Sequence, residues 1–342
     1  MFATFYAVLR GERPSALAMK LLPLAACCLF TLFTGCRNAS LQPGSPISGP
    51  VTVNATPPPP PGPSQNPNRQ PSGVAMPESA APEQMKLGNP DNANGNPASS
   101  SKYLVVRPQF ALSYNDALRF PNWVSWRLRA EDIGNVSRGQ FFPDPELPSG
   151  YTRVTPADYT RSGYDRGHNC PSKDRSATPE DNDAVFTMIN ITPQAHGMNA
   201  GPWQYLEEYC RSQAQSGMDV YIICGHGFRD QNFKRIGRTE IAVPDFGWKI
   251  AVIVPVGGVI TAAARVVAVE MPNISTISKE RWQGFVTTPE KIERDTNLKF
   301  FTALPAPVAA ALRTKLDPEA KNHEAKRPRK SRSKTSNAFG GF

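Results

Sequence analysis

The sequence predicts an α+β domain dominated by antiparallel sheet, and three observations carry that prediction. Short apolar or alternating runs recur between clusters of turn formers, as sheet strands require. One long stretch, "GWKIAVIVPVGGVITAAARVVAVEMP", places two such runs around a Gly-Gly pair and reads as a hairpin. A single segment between strands, "GPWQYLEEYCRSQAQSG" (201–217), has a clear helical period.

Not all of the 342 residues belong to that domain. Residues 1–36 are expected to be an export signal. From Met19 the chain reads "MKLLPLAACCLFTLFTGC", a Lys, an apolar run, then Thr-Gly-Cys. The run is shorter than the ~20 residues that span a bilayer. It resembles a lipoprotein signal, in which the Cys after Gly carries the lipid; here that is Cys36. Phe33 departs from that pattern, and a plain secretion signal is the competing reading. The product would be exported, either lipid-anchored to the envelope or secreted. Residues 37–101 contain "TPPPPPGPSQNPNRQPSG" and "NPDNANGNPASSS". Proline stiffens such a stretch, and few side chains could bury apolar area, so it reads as a disordered linker. The folded domain is set at 102–305. Residues 306–342 hold "KNHEAKRPRKSRSK" and read as a basic disordered tail. That tail supplies much of the +9 formal charge, which favours polyanionic partners without saying anything about fold.

Within the domain the elements follow in order. "YLVVRPQFALSYN" reads as a strand that ends at Asn115-Asp116, and "WVSWRLRAEDIG" as another. "AVFTMINITP" (184–193) reads as a third. "MDVYIICG" (218–225) is a continuous apolar run ending in Gly, the mark of a central buried strand. In the 201–217 helix, Pro202 suits the first turn and Gly217 the C-terminal stop. No internal repeat is visible.

The helix supplies the first chemical constraint. Asn199, Trp203, Glu207 and Arg211 are spaced by four and share one face, provided helical geometry reaches back to Asn199. Leu206, Cys210 and Tyr209 form the core-facing side. Taken alone, the stripe reads as a solvated polar face with an ordinary Glu–Arg pair. Upstream, "NITPQAHGMN" runs from Asn190 to Asn199. The stretch "DRGHNCPSKDRS" (165–176) is too polar and turn-rich for core, yet it holds one of only four histidines. Two loops and a helix start could therefore converge on one site.

"DRGH", "PS-x-DR" and "N-x-x-PQ-x-x-x-x-N-x-G-x-W-x-x-LE-x-x-x-R" together resemble the DNA/RNA non-specific endonucleases, the ββα-metal (His-Me finger) group that includes endonuclease G. "NWVSW", "FFPDPEL", "DYTRSGYDRGH", "YIICG" and "VPDFGWKIAV" stand in that family's order. The resemblance implies a ββα-metal finger and metal-dependent hydrolysis of DNA and RNA, leaving 5′-phosphate and 3′-hydroxyl ends. It implies that His168 is the general base and that Asn199 is the one protein ligand of Mg²⁺, with Mn²⁺ suiting the same donor. It further implies that Glu207 orients metal-bound water, that Arg166 and Arg211 hold the scissile phosphate, that Asn190 is a polar support near His168, and that Arg138 matches an upstream phosphate-binding arginine.

The chemistry fits those residue types. Imidazole titrates near neutrality and can take a proton from water, provided it is neutral and its far nitrogen is fixed, here expected on a backbone carbonyl. Mg²⁺ keeps most of its waters, so one amide oxygen can tether it. Arginine forks neutralise phosphate oxygens, and none of these contacts reads a base. Other features take plainer readings. His196 and His226 lie in Gly-flanked turns without zinc-ligand spacing, and His323 lies in the tail. Asp165 is a structural partner for a backbone group or an Arg, and Trp203 is core. Cys170, Cys210 and Cys224 allow one disulfide and leave one thiol over. The competing function is a catalytically inactive, nucleic-acid-binding envelope lipoprotein.

Overall fold

The computed structural model describes residues 82–318. In chain order the strands are β1 (Tyr103–Val106), β2 (Ala111–Asn115), β3 (Phe120–Leu128), β4 (Asp165–His168), β5 (Ile191–Gln194), β6 (Met218–Gly227), β7 (Arg235–Ile236), β8 (Ile241–Ala242), β9 (Phe246–Pro255), β10 (Arg265–Pro272) and β11 (Val286–Thr287). The helices are α1 (Pro179–Val185), a single turn α2 (His196–Met198), α3 (Gln204–Gln215), α4 (Pro289–Thr296) and α5 (Ala306–Arg313). Seven strands form one antiparallel sheet in the order β1-β2-β3-β6-β9-β10-β11, and β4 pairs with β5 in a separate two-stranded ribbon. The α+β architecture expected from the sequence is the one observed.

Both faces of the large sheet are covered. In β9, Trp248, Ile250, Val252 and Val254 enter a core shared with Ile292 of α4, Leu312 of α5 and Phe300. Ala251 and Ile253, pointing the other way, enter a core shared with Phe186, Met198, Trp203, Leu206 and Cys210. Strands buried on both sides lose the polar alternation and read as continuous apolar runs, which is why "IAVIV" and "VYIIC" looked central. The β4-β5 ribbon and α3 therefore sit on one face of the sheet, and the C-terminal helices on the other.

The folded region extends beyond 102–305 at both ends. Leu87 is 2% exposed, and Asp91 accepts hydrogen bonds from Trp123 Nε1 and Ser113 Oγ, so the last stretch of the expected linker packs on the sheet. At the other end, Leu312 is buried and Asp317 pairs with Arg265. The N-terminal stretch is polar and held by side-chain hydrogen bonds, and α5 is a short apolar helix next to the basic run, so overall composition placed both outside. The expected signal, Cys36, the proline-rich run and the basic tail beyond residue 318 lie outside the described residues.

Three elements differ from expectation. "YLVVRPQFALSYN" is a hairpin, β1 and β2, because Pro108 cannot continue a ladder and Arg107 N donates to Phe110 O across the turn. Residues 184–193 are not one strand. Thr178 caps α1 by accepting from Asp181 N, a 3-10 turn follows at Met188–Asn190, and only Ile191–Gln194 is extended. "DRGH" is strand rather than loop. The β9-β10 hairpin is present, but nine residues (256–264) join its strands, with Gly257 at φ +71°.

Candidate active site

The β4-β5 ribbon carries the chemistry-bearing residues. Its register places His168 opposite Ile191 and Asp165 opposite Gln194. Gly167 lies between them because the Gln194 side chain crosses where a Cβ would stand. Beyond His168, Asn190 prolongs the ladder with its side chain. Its Oδ1 accepts from Cys170 N at 2.9 Å, and its Nδ2 donates to Cys170 O and Val185 O. Its own carbonyl accepts from Asn169 N. The backbone following His168 is thus held on both edges, and Asn190 acts on that backbone without touching the imidazole.

The His168 ring packs into a corner made by two touching phenylalanines, with centroids 5.1 Å from Phe141 and 4.8 Å from Phe186, the latter edge-on, and the two phenylalanine centroids 5.0 Å apart. Each phenylalanine ring also carries an arginine. Arg166 lies 4.8 Å from the Phe141 centroid and Arg138 lies 5.4 Å from that of Phe186. Both guanidiniums are exposed. Burial, with the Arg138 charge as a second cause, lowers the His168 pKa to about 3, so the ring is neutral at physiological pH. Nε2 is buried with no hydrogen-bond partner among the described residues, which leaves Nδ1 as the nitrogen open to solvent. The backbone carbonyl expected on the far nitrogen is not found there; aromatic packing holds the ring instead.

Asn199 is reached through an irregular helix start. Between α2 and α3, residues Asn199–Trp203 form a wide π-helical turn in which Gly201 is non-helical, at φ −113° and ψ −121°. Pro202 has no N–H to give, and a Cβ on Gly201 would press on the Ser278 backbone. Regular helical geometry therefore does not run unbroken from Asn199 to Glu207 and Arg211. The Asn199 amide is instead aimed by Asp165, whose Oδ2 accepts from Asn199 Nδ2 at 2.9 Å and pairs with His196 Nδ1 at the same distance. A carboxylate only accepts, so the amide nitrogen must face it. Asn199 Oδ1 takes no hydrogen bond among the described residues and is left outward. Asp165, expected to serve a backbone group or an Arg, serves the amide.

The stripe on α3 is buried rather than solvated. Glu207 pairs with Lys249 at 3.2 Å and its side chain is 13% exposed. Arg211 pairs with Asp174 at 2.8 Å, and Asp174 also accepts from Trp126 Nε1. Arg211 Nη1 is therefore committed, leaving Nε and Nη2 for another anion. Burial pushes the Glu207 pKa up, and the neighbouring Lys249 ammonium opposes it. Cys170, Cys210 and Cys224 are buried free thiols.

The comparisons with known proteins agree on the family and the fold. The model of the DNA/RNA non-specific endonuclease family matches residues 87–307. The chain belongs to that family. A nuclease from a Nostoc species is 38% identical over 237 residues, which cover 68% of this chain and 85% of the relative. Bovine mitochondrial endonuclease G is 30% identical over 227 residues, covering 61% and 74%. The solved structure titled as an EndoG/EndoGI complex superposes with a TM-score of 0.57 at 25% identity, over 65% of this chain and 91% of that one. This endonuclease therefore has the ββα-metal fold, β4 and β5 supplying the strands and α3 the helix, and it acts on nucleic acid.

Nucleases of this family are metal-dependent. The residues present fit a hard, hydrated cation. No cluster of three or more His, Cys, Asp or Glu ligands exists among the described residues, whereas one amide oxygen, oriented by a carboxylate, stands free beside the ribbon. Sequence reasoning missed Phe141, Phe186, Lys249 and Asp174. "FFPDPEL" and "GWKIAV" were visible, but nothing local says that an aromatic will flank a histidine or that a strand lysine will be buried.

Proposed function

We propose that this endonuclease hydrolyses phosphodiester bonds of DNA and RNA without reading bases, leaving 5′-phosphate and 3′-hydroxyl ends, with Mg²⁺ as the cation and Mn²⁺ able to replace it. The observation that carries the reading is the pairing, on one two-stranded ribbon, of a neutral imidazole with an open Nδ1 and a carboxylate that aims an amide oxygen outward.

His168 takes the proton from water as its oxygen forms a bond to phosphorus and the bond from phosphorus to the 3′ oxygen breaks, and the 3′ oxygen takes a proton from solvent water to leave as the hydroxyl. A ring held neutral by burial is competent to accept that proton, and the phosphate charge raises its basicity when substrate arrives. Asn199 Oδ1 would hold the cation, which supplies charge stabilisation at the phosphate and at the departing oxygen. Glu207 accepts hydrogen bonds from water on the Asn199 side. Arg166 and Arg138, exposed beside the two phenylalanines, donate to non-bridging oxygens, and Arg211 adds its uncommitted Nε and Nη2. Asn190 holds the backbone that carries His168. Every one of these contacts is to phosphate or water, hence the indifference to sugar and base. Export, with a lipid on Cys36, belongs to the same reading and places the enzyme where foreign or waste nucleic acid is met.

A plasmid-nicking assay tests the reading. With Mg²⁺, supercoiled DNA converts to open-circular and linear forms, and folded RNA is degraded; with chelator both persist. Full cleavage in chelator would refute the role given to Asn199.

A further inference from the structure

Lys249 stands where a lysine is least expected. It lies in the middle of β9, opposite Cys224 of β6 and Val269 of β10, in a row continued by Val124 of β3 and Leu112 of β2. The residue is 1% exposed. Its ammonium lies 4.2 Å from the Trp203 ring centroid and 5.7 Å from that of Trp126, and 3.2 Å from Glu207 Oε1. Small residues flank it along the strand. At Gly247 a Cβ would meet Met198 and Trp203, and Ala251 follows, so the start of α3 presses onto β9.

Burying an ammonium in such a row is strongly unfavourable unless a carboxylate accompanies it. As a device for stability the pair is poor, because apolar residues of similar size would serve as well or better. It does fix geometry. Glu207 Oε1 is committed to Lys249, while Oε2 takes no hydrogen bond among the described residues and stays open to solvent.

We propose that Lys249 is a positioning residue for the nuclease reaction: its buried ammonium clamps one oxygen of Glu207, keeps that carboxylate ionised, and leaves the other oxygen to orient water beside the phosphate. The proposal rests on the nuclease reading given above. Asp174 faces the pair from the segment after β4, Cys170 from the same segment, Arg211 and Cys210 from α3, and Cys224 and His226 from β6. Asp174 and Arg211 neutralise each other, the three thiols are held protonated and the His226 ring neutral by burial, so Lys249 is the charge that decides the state of Glu207.

The test is a double-mutant cycle of Lys249→Met and Glu207→Gln on plasmid and on folded RNA, with circular dichroism and thermal midpoint recorded for each variant. Lys249→Met is expected to lower kcat at pH 7 by 10-fold or more with KM changed less than threefold. In the Glu207→Gln background the same change is expected to alter kcat by less than twofold, because the group it serves is already gone. The acid limb of the kcat profile should move to higher pH in Lys249→Met and not in the double variant. Equal losses in both backgrounds, or no loss in the single variant, overturn the proposal. Should Lys249→Met fail to fold, ¹³C titration of the Glu207 carboxylate in the chelator-treated wild type decides. Ionisation complete below pH 7 supports the proposal, and a carboxyl still protonated at pH 7 overturns it. Wild-type protein that nicks no DNA with Mg²⁺ would instead sink the nuclease reading itself.

Discussion

Asp165→Asn isolates the device that aims the Asn199 amide, the proposed tether of the cation. In the wild type a carboxylate oxygen accepts from Asn199 Nδ2 at 2.9 Å, and because it can only accept, one rotamer of the amide is enforced. An asparagine at 165 offers both a carbonyl and an amino group, so Asn199 can face it either way. A hydrogen bond to a charged partner contributes about 1.5–3 kcal/mol, and tenfold in binding corresponds to about 1.4 kcal/mol. The Mg²⁺ concentration for half-maximal nicking should therefore rise by roughly 10–100-fold. The Asp165 side chain is 33% exposed, so little folding stability goes with it. The readout is nicking rate against Mg²⁺ from micromolar to tens of millimolar, with thermal unfolding in chelator as the control. The expected result is a shifted half-saturation, most of the rate recovered at saturating Mg²⁺, and a thermal midpoint within a few degrees of wild type. An unchanged half-saturation with a lower maximal rate would refute the reasoning, because it would place Asp165 in the chemical step rather than behind the metal ligand.

Further outcomes follow from the same geometry. His168→Ala should lower kcat at least 10²-fold, the typical loss of a general base, while circular dichroism and oligonucleotide retention in chelator stay near wild type. Stability should fall on acidification from a pH higher than carboxylates alone would dictate. Burial lowers His168 and His226 to about 3, below their unfolded value near 6.5, so the unfolded chain binds more protons across that interval. The stability is whole above pH 6.5 and declines as pH drops toward 3, by roughly 1.4 kcal/mol per unit for each ring at most. Urea midpoints at pH 7, 6 and 5 measure it, and a flat profile over that range would contradict the burial of both rings. Ile250→Ala, at a fully buried β9 position, should cost about 2–5 kcal/mol in chemical unfolding with the nicking rate per folded molecule unchanged. Cys36→Ala should move the exported protein from the membrane fraction to the soluble fraction; retention in the membrane would argue against the lipid.

The parts of the site legible in the chain were those whose spacing is itself the signal. "DRGH" and the run from Asn190 to Arg211 are short enough for residue order to specify chemistry. Helical period pointed correctly to Leu206 and Cys210 as core. It misjudged Glu207 and Arg211, since a four-residue repeat of polar groups looks identical whether it faces water or a buried ammonium. Pro202 looked like a helix start, and the break at Gly201 beside it, where the chain packs against Ser278, was not visible in the residue pattern.

The antiparallel α+β class, the central strands and the single long helix were already written in local pattern, because apolar period and motif spacing are properties of neighbours along the chain. Which groups meet at the site was not. Phe141 and Phe186 against His168, Asp165 behind Asn199, and Lys249 against Glu207 are separated from their partners by between 18 and 42 positions or meet across a ribbon and a sheet. Charge state and orientation at this site arise from those encounters, since desolvation and a hydrogen-bond partner act through space, and only the folded chain brings them within a few ångströms of one another.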